Sequence, residues 1–441
     1  MPARRLALAL VAVAALFGPA AATPQGSAAT SVTTFVITGR GWGHGVGMPQ
    51  WGAYGYAQHG FTYDRILAHF YPGTTLTVPP AARIKVLLVD SIRKIVLSSQ
   101  DPFTVVDGDG IRHQIAGGNY PLTPALKVKL APDAPAEALP GPLRFVAGTS
   151  PLWLAHPWRG DLIVAANGKN LSVVNDVPLD AYARGVVSNE MPKDWPLEAV
   201  KAQAVAARSY ALAHKRGGTF DVYADTRDQV YGGITTETPV GDQAIAATRR
   251  QVLTYDGKVA TTYFYSSSGG MTASIADVFA GSKPVPYLVS VPDPYDTASP
   301  WHSWGPVVIS AATAGRQLGV AGLLGLRPVP ATGRPRYVVA IGRDGDVPLR
   351  AGWIRVGVLL LSRPAGTVAS GTPVTLSGRA EQVKGVTLEQ RAPGGVWQAG
   401  PALTIGSDSS FSVEVTPTVT IEYRLAAGTV KGGPLRVVVG Q

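Results

Sequence analysis

Three features of the sequence predict an α+β fold with more strand than helix. The chain holds 51 glycines and 36 prolines among its 441 residues, set between β-branched runs, the composition of a loop-rich, strand-rich protein. From Arg83 to Asp176 apolar runs of strand length follow one another between turn residues. Against this β-rich text stand a few helices, chief among them an Ala-rich one in which Leu197, Val200, Ala204, Ala207 and Ala211 recur at helical spacing. With 46% hydrophobic and 15% charged residues the chain can bury a sizeable core and form more than one domain.

Residues 1–22 read as a secretory signal peptide: Arg4 and Arg5, an apolar run from Leu6 to Phe17, then small residues up to a cleavage site near Ala22. That run is too short to span a bilayer. Residues 23–31 form a small, polar linker. The net charge of +10, two units of it from Arg4 and Arg5, favours anionic wall polymers as contacts of an exported chain and not nucleic acid, or serves solubility alone. Without cysteine there is neither a disulfide nor a thiolate metal site.

Order is expected from Val32, in a short strand ending near Gly39. The glycine-dense stretch from Gly39 to Gly60 alternates glycine with Trp42, His44 and Val46, as a loop does whose backbone closely approaches a neighbour. Pro49 opens a short helix stopped at Gly60, and a second helix begins at Thr62 or Asp64 and ends at Pro72-Gly73. In the β-rich stretch, Asn167-Gly168 marks a hairpin between two apolar runs. After Pro178 the text reaches an irregular turn holding Asn189, Glu190, Met191 and Pro192, then the Ala-rich helix. Asp194 is its expected N-cap, and Lys201, Arg208 and His214 are expected on faces away from the core. A further helical pattern spans Asp242 to Arg250. Beyond a boundary near Arg363–Gly371, six or seven short strands with glycine-rich turns predict a small Ig-like β-sandwich over 363–441, or else an extension of the main domain.

Four stretches carry a resemblance. VVSNEMPKDWPLEAVKAQAVAARSYAL, YFYSSSGGMTA, PYLVSVPDPYD and GRGWGHGVGMPQWGAYGYAQHGFTYDRILAHFYPGT resemble the stage II sporulation protein D / LytB amidase-enhancer family, over most of Val32 to Leu361. The resemblance implies a domain over 32–362 with a few helices around a substrate groove. It also implies a lytic transglycosylase acting on peptidoglycan glycan strands from which stem peptides have been removed. The glutamate of the NEMP motif, here Glu190, is then the catalytic acid/base. Two departures stand out: the GWGHG motif, near the end of the domain in the family, here comes first at Gly41–Gly45, as in a circular permutation. Such a permutation expects the strand near Phe35 to lie beside the one near Val356. Family members that bind a metal carry a histidine before the serine-rich turn and cysteines after it; here Tyr265 stands there and cysteine is absent, so no metal and no cofactor are expected.

One carboxylate suffices for such a reaction because the muramic acid C6 hydroxyl is itself the nucleophile, whereas glycoside hydrolysis uses two acids. Glu190 would need a raised pKa, which Met191, Pro192 and Trp195 could supply; alternatively it caps or forms a salt bridge. Gln203 and Arg208 are candidates for sugar hydroxyls or acetamide groups, or pair within the core. Ser266, Ser267, Ser268 and Gly269 could line the groove as donors or form a plain turn. His44 is either a groove residue or a hydrogen-bonded structural histidine, and Gln50, Trp42 and Trp51 are candidate sugar contacts. No GxSxG elbow and no Lys-Ser/Thr phosphate loop occurs. The rival from another class is a non-catalytic wall-binding protein that stimulates a separate cell-wall amidase.

Overall fold

The computed structural model describes residues 29–279, 281–331, 334–350 and 353–440; the expected signal peptide lies outside them. The described chain is β-rich with seven α-helices, an α+β protein, and it divides into two compact units.

One unit comprises Gly45–Ala276 and Gly281–Ser299. Its platform is a seven-stranded sheet ordered 222–223, 83–92, 170–178, 161–167, 143–146, 103–106, 112–115. All neighbours are antiparallel except the short 222–223 strand, which runs parallel to 83–92. Alternate residues such as Phe103, Val105, Leu143, Phe145, Leu162 and Val164 are buried, the period-two pattern of a sheet with one face on a core. The Asn167-Gly168 hairpin forms as expected, with Asn167 opposite Asn170 and Gly168 at a positive φ of 59°.

Five helices of this unit matter for the site: α1 (Gln50–Gln58), α2 (Tyr63–Phe70), α3 (Leu179–Glu190), α4 (Leu197–Ala213) and α5 (Pro239–Ala247). α4 is central and touches each of the other four. Its alanines allow this: Ala199, Ala202, Ala204, Ala206, Ala207 and Ala211 are buried on all sides, so the apolar stripe read from the sequence is a helix enclosed all round. Arg208 therefore does not ride an outer face but is fully buried.

Two sequence expectations change around α4. Asp194 is exposed and does not cap it; the N-cap is Pro196, without a side-chain cap. Asn189 and Glu190, expected in an irregular turn, are the last two residues of the helix α3. It stops at Glu190 because Met191 precedes Pro192, and a residue before proline is driven out of the helical region; Met191 sits at φ −126°, ψ 138°.

The other unit comprises, among the described residues, those up to His44, a stretch at 277–279 and those from Pro300 on. Its first strand, Thr30–Arg40, begins two residues earlier than expected and lies second in a five-stranded sheet ordered 304–310, 30–40, 353–363, 374–381, 410–415. It runs antiparallel to 353–363, with Phe35 opposite Val358 and Ile37 opposite Val356, the adjacency expected of a rearranged chain order. The strands after Arg363 do not stand apart: 374–381 pairs directly with 353–363. A second sheet, built on 387–391 and 421–427, contributes Leu388, Tyr423 and Leu425 to one core cluster with Leu359, Leu361, Leu376 and Phe411 of the first.

Candidate functional site

Glu190 is the last residue of α3 and only partly exposed. The negative end of a helix dipole disfavours an ionised carboxylate there. Burial pushes its pKa above the ordinary carboxylate value, opposed by hydrogen bonds from the Gln50 amide and the Val230 backbone N–H. Gln50 Nε2 donates to Glu190 Oε2 at 3.1 Å. The two donors favour the anion, while burial favours the protonated form.

Each donor is placed by a local device. Val230 belongs to a loop docked on α3: the Gly232 N–H donates to the Gly185 carbonyl at 3.2 Å and the Tyr182 hydroxyl to Gln229 Oε1 at 3.0 Å. Gly185 permits that docking, since a Cβ there would lie 2.6 Å from the Tyr231 ring. Gln50 is the first residue of α1, whose start is set by Pro49 and by a 2.9 Å bond from the Trp51 N–H to the Ser266 carbonyl. Ahead of it, Gly47 has φ +76° and a Cβ there would fall 2.0 Å from the Tyr263 carbonyl oxygen, so only glycine fits the approach foreseen for this loop.

An aromatic group shares these elements. Trp51 and Tyr54 of α1 pack edge-on and tilted against Trp195, with ring centroids 4.8 and 5.0 Å apart. Trp195 and Met191 are buried, so two of the three residues named for an apolar setting lie inside, while Pro192 is exposed.

Of the three acids nearest in sequence, Asp194 is exposed and the other two are engaged elsewhere. Asp180 accepts from Arg208 Nε at 2.6 Å, and Glu198 accepts from Lys201 Nζ at 2.5 Å and from the Tyr63 N–H at 2.8 Å. No group of three His, Cys, Asp or Glu side chains is placed to hold a metal ion among the described residues.

The remaining candidates lie elsewhere or are committed to structure. Arg208, besides Asp180, donates to the Thr248 hydroxyl and the Ile245 carbonyl at 3.1 Å each, tying α4 to α3 and α5 within the core. Gln203 is fully buried in α4, and no hydrogen bond joins its amide to Glu190. Ser267 and Ser268, expected as donors on a groove, are buried with their hydroxyls on Asp296 and Asp293; the Ser268 and Gly269 N–H groups also donate to Asp296. A carboxylate without exposure gathers donors because it has no water to do so. Ser266 meets α1 through its carbonyl. In the other unit, Trp42 stacks on Trp301 with centroids 4.6 Å apart, and the His44 ring lies 5.7 Å from that of Phe279. Sequence reasoning missed the Val230 N–H, because a backbone donor leaves no mark on residue type.

Comparison with known proteins bears on this site. Residues 167–255, which include α3 with Glu190, α4 and α5, match the family described as Stage II sporulation protein. The amidase enhancer of Bacillus subtilis (strain 168) is 42% identical over 118 residues, covering 27% of this chain and 16% of that protein. Stage II sporulation protein D of the same organism is 32% identical over 165 residues, 33% of this chain and 47% of that protein. An uncharacterized protein of Brachyspira hyodysenteriae is 42% identical over 138 residues, 30% of this chain and 37% of that protein. The matches thus span less than half the length of these relatives.

Proposed function

We propose, from the premise that this chain belongs to the stage II sporulation protein D and amidase enhancer family, that it is an exported lytic transglycosylase of peptidoglycan. Its substrate is the glycan strand freed of stem peptides. Glu190, protonated on binding, gives its proton to the glycosidic oxygen as the bond from muramic acid C1 breaks. The C6 hydroxyl of the same sugar then closes on C1, and Glu190 takes back the hydroxyl proton, leaving a 1,6-anhydro end and an unaltered enzyme. The observation that carries this reading is one partly buried carboxylate, its pKa raised by burial, with two donors ready for its anion and its sequence neighbours Asp180 and Glu198 engaged elsewhere. Trp51 and Tyr54, on the same helix as Gln50, suit the apolar faces of pyranose rings. The protein would act outside the cytoplasm, in contact with anionic wall polymers.

A second reading rests on the printed name of one relative, an amidase enhancer: a wall-binding protein that stimulates a separate amidase without cleaving glycan. Incubating the chain with peptide-free glycan strands and weighing the products separates the two. Catalysis gives 1,6-anhydro ends, lost by about a hundredfold or more in Glu190→Gln. Strand binding with no product from either protein favours the enhancer, and equal product from both removes Glu190 from the chemistry.

A further inference from the structure

The run Pro292–Asp296 carries two aspartates, Asp293 and Asp296, both with no solvent exposure. Burying a carboxylate is costly unless donors surround it, so such groups are found where they organise something. Four donors come from one turn. Asp296 accepts from the Ser267 hydroxyl at 2.9 Å, from the Gly269 N–H at 2.9 Å and from the Ser268 N–H at 3.1 Å; Asp293 Oδ2 accepts from the Ser268 hydroxyl at 2.7 Å. The turn can wrap the carboxylates because Gly269 and Gly270 take φ of +68° and +107°.

That same turn holds the start of α1 through the bond from the Trp51 N–H to the Ser266 carbonyl. The aspartate run also abuts α1 directly. A Cβ at Gly52 would lie 2.3 Å from Asp293 Oδ2, and one at Gly55 would lie 2.0 Å from the Tyr295 carbonyl oxygen. α1 has no side-chain cap and no acidic residue in its first turn, so its N-terminal placement is set from outside the helix. The residue at that end is Gln50, the donor to Glu190.

We propose that Asp293 and Asp296 are positioning residues for the acid/base: through the turn 266–270 and the contact with Gly52 they fix the first turn of α1, and thereby hold the Gln50 amide on the Glu190 carboxylate. The proposal rests on the reading of Glu190 as the acid/base, but its test does not depend on turnover. The full chain is labelled with ¹³C at glutamate carboxyls, the Glu190 signal is identified by its loss in Glu190→Gln, and its titration is followed in Gln50→Ala, Asp296→Asn and the double variant. Losing the Gln50 hydrogen bond raises the Glu190 pKa. Asp296→Asn is expected to raise it by the same amount as Gln50→Ala, and the double variant no further. A folded Asp296→Asn with the wild-type titration, or a double variant whose shift is the sum of the two, overturns the proposal. Should Asp296→Asn not fold, Ser268→Ala, which removes one donor and keeps both carboxylates, is titrated under the same criteria. Wild-type protein that makes no anhydro product while these titrations behave as stated would remove the transglycosylase reading and leave the positioning intact.

Discussion

At the scale of the residue, the central quantity is the proton on Glu190. Burial and the C-terminal end of α3 both disfavour its charge, while Gln50 and Val230 favour it. If the protonated form starts the reaction, activity falls as pH rises through the Glu190 pKa. Gln50→Ala removes a stabiliser of the anion, so the falling limb of the pH–rate profile should move to higher pH; an unmoved or lowered limb in that profile would contradict the assignment. Arg208 makes the opposite case. Its three groups of hydrogen bonds lie within the helical core, so Arg208→Met should lower stability by about 3 kcal/mol in urea denaturation. Product formed per folded molecule should stay the same, which a substrate-binding arginine would not allow.

At the scale of the element, what counts is how segments are pressed together. Gly185 lets the Val230 loop dock on α3. Gly185→Ala should cost about 1–3 kcal/mol by overpacking against Tyr231 and, by displacing the Val230 N–H, reduce anhydro-product formation by up to about a hundredfold; both are measurable on one preparation. The Asp293 carboxyl, buried and with Asp296 beside it, is pushed up to about 7 despite the Ser268 hydroxyl. It holds its proton more tightly folded than unfolded, so its contribution to stability is present at acid pH and lost as pH rises toward and through about 7. Asp293→Asn should therefore gain Tm relative to wild type as pH rises across that window, with no gain in acid; a constant difference across pH would refute this.

At the scale of the whole molecule, the strands following Arg363 continue the sheet that contains Thr30–Arg40 and share its core. A chain ending at Arg363 would expose the edge of 353–363 and the apolar residues Leu359 and Leu361. It is expected to aggregate or lose the folded state of that unit, seen by circular dichroism and size-exclusion chromatography. A soluble, natively folded truncation would instead restore the separable module expected from the sequence.

Much was legible without coordinates where local chemistry decides. The Asn167-Gly168 turn follows from φ preference, the strands of the platform from alternation, and the helix 197–213 from its spacing. The resemblance pointed to Glu190, and the apparent change of motif order anticipated that the strand near Phe35 would lie beside the one near Val356. Other features depend on residues far apart in the chain meeting in space. Nothing in residue type says that Gln50 will reach Glu190, 140 positions away, or that the Ser267 and Ser268 hydroxyls will be turned onto buried aspartates. The pattern of α4 carried one apolar stripe, yet its other faces are covered too, because neighbouring helices close over an alanine surface. Periodicity and turn chemistry act over a few residues and are written in order along the chain; burial, and the carboxylate pKa values it sets, is a property of the assembled core.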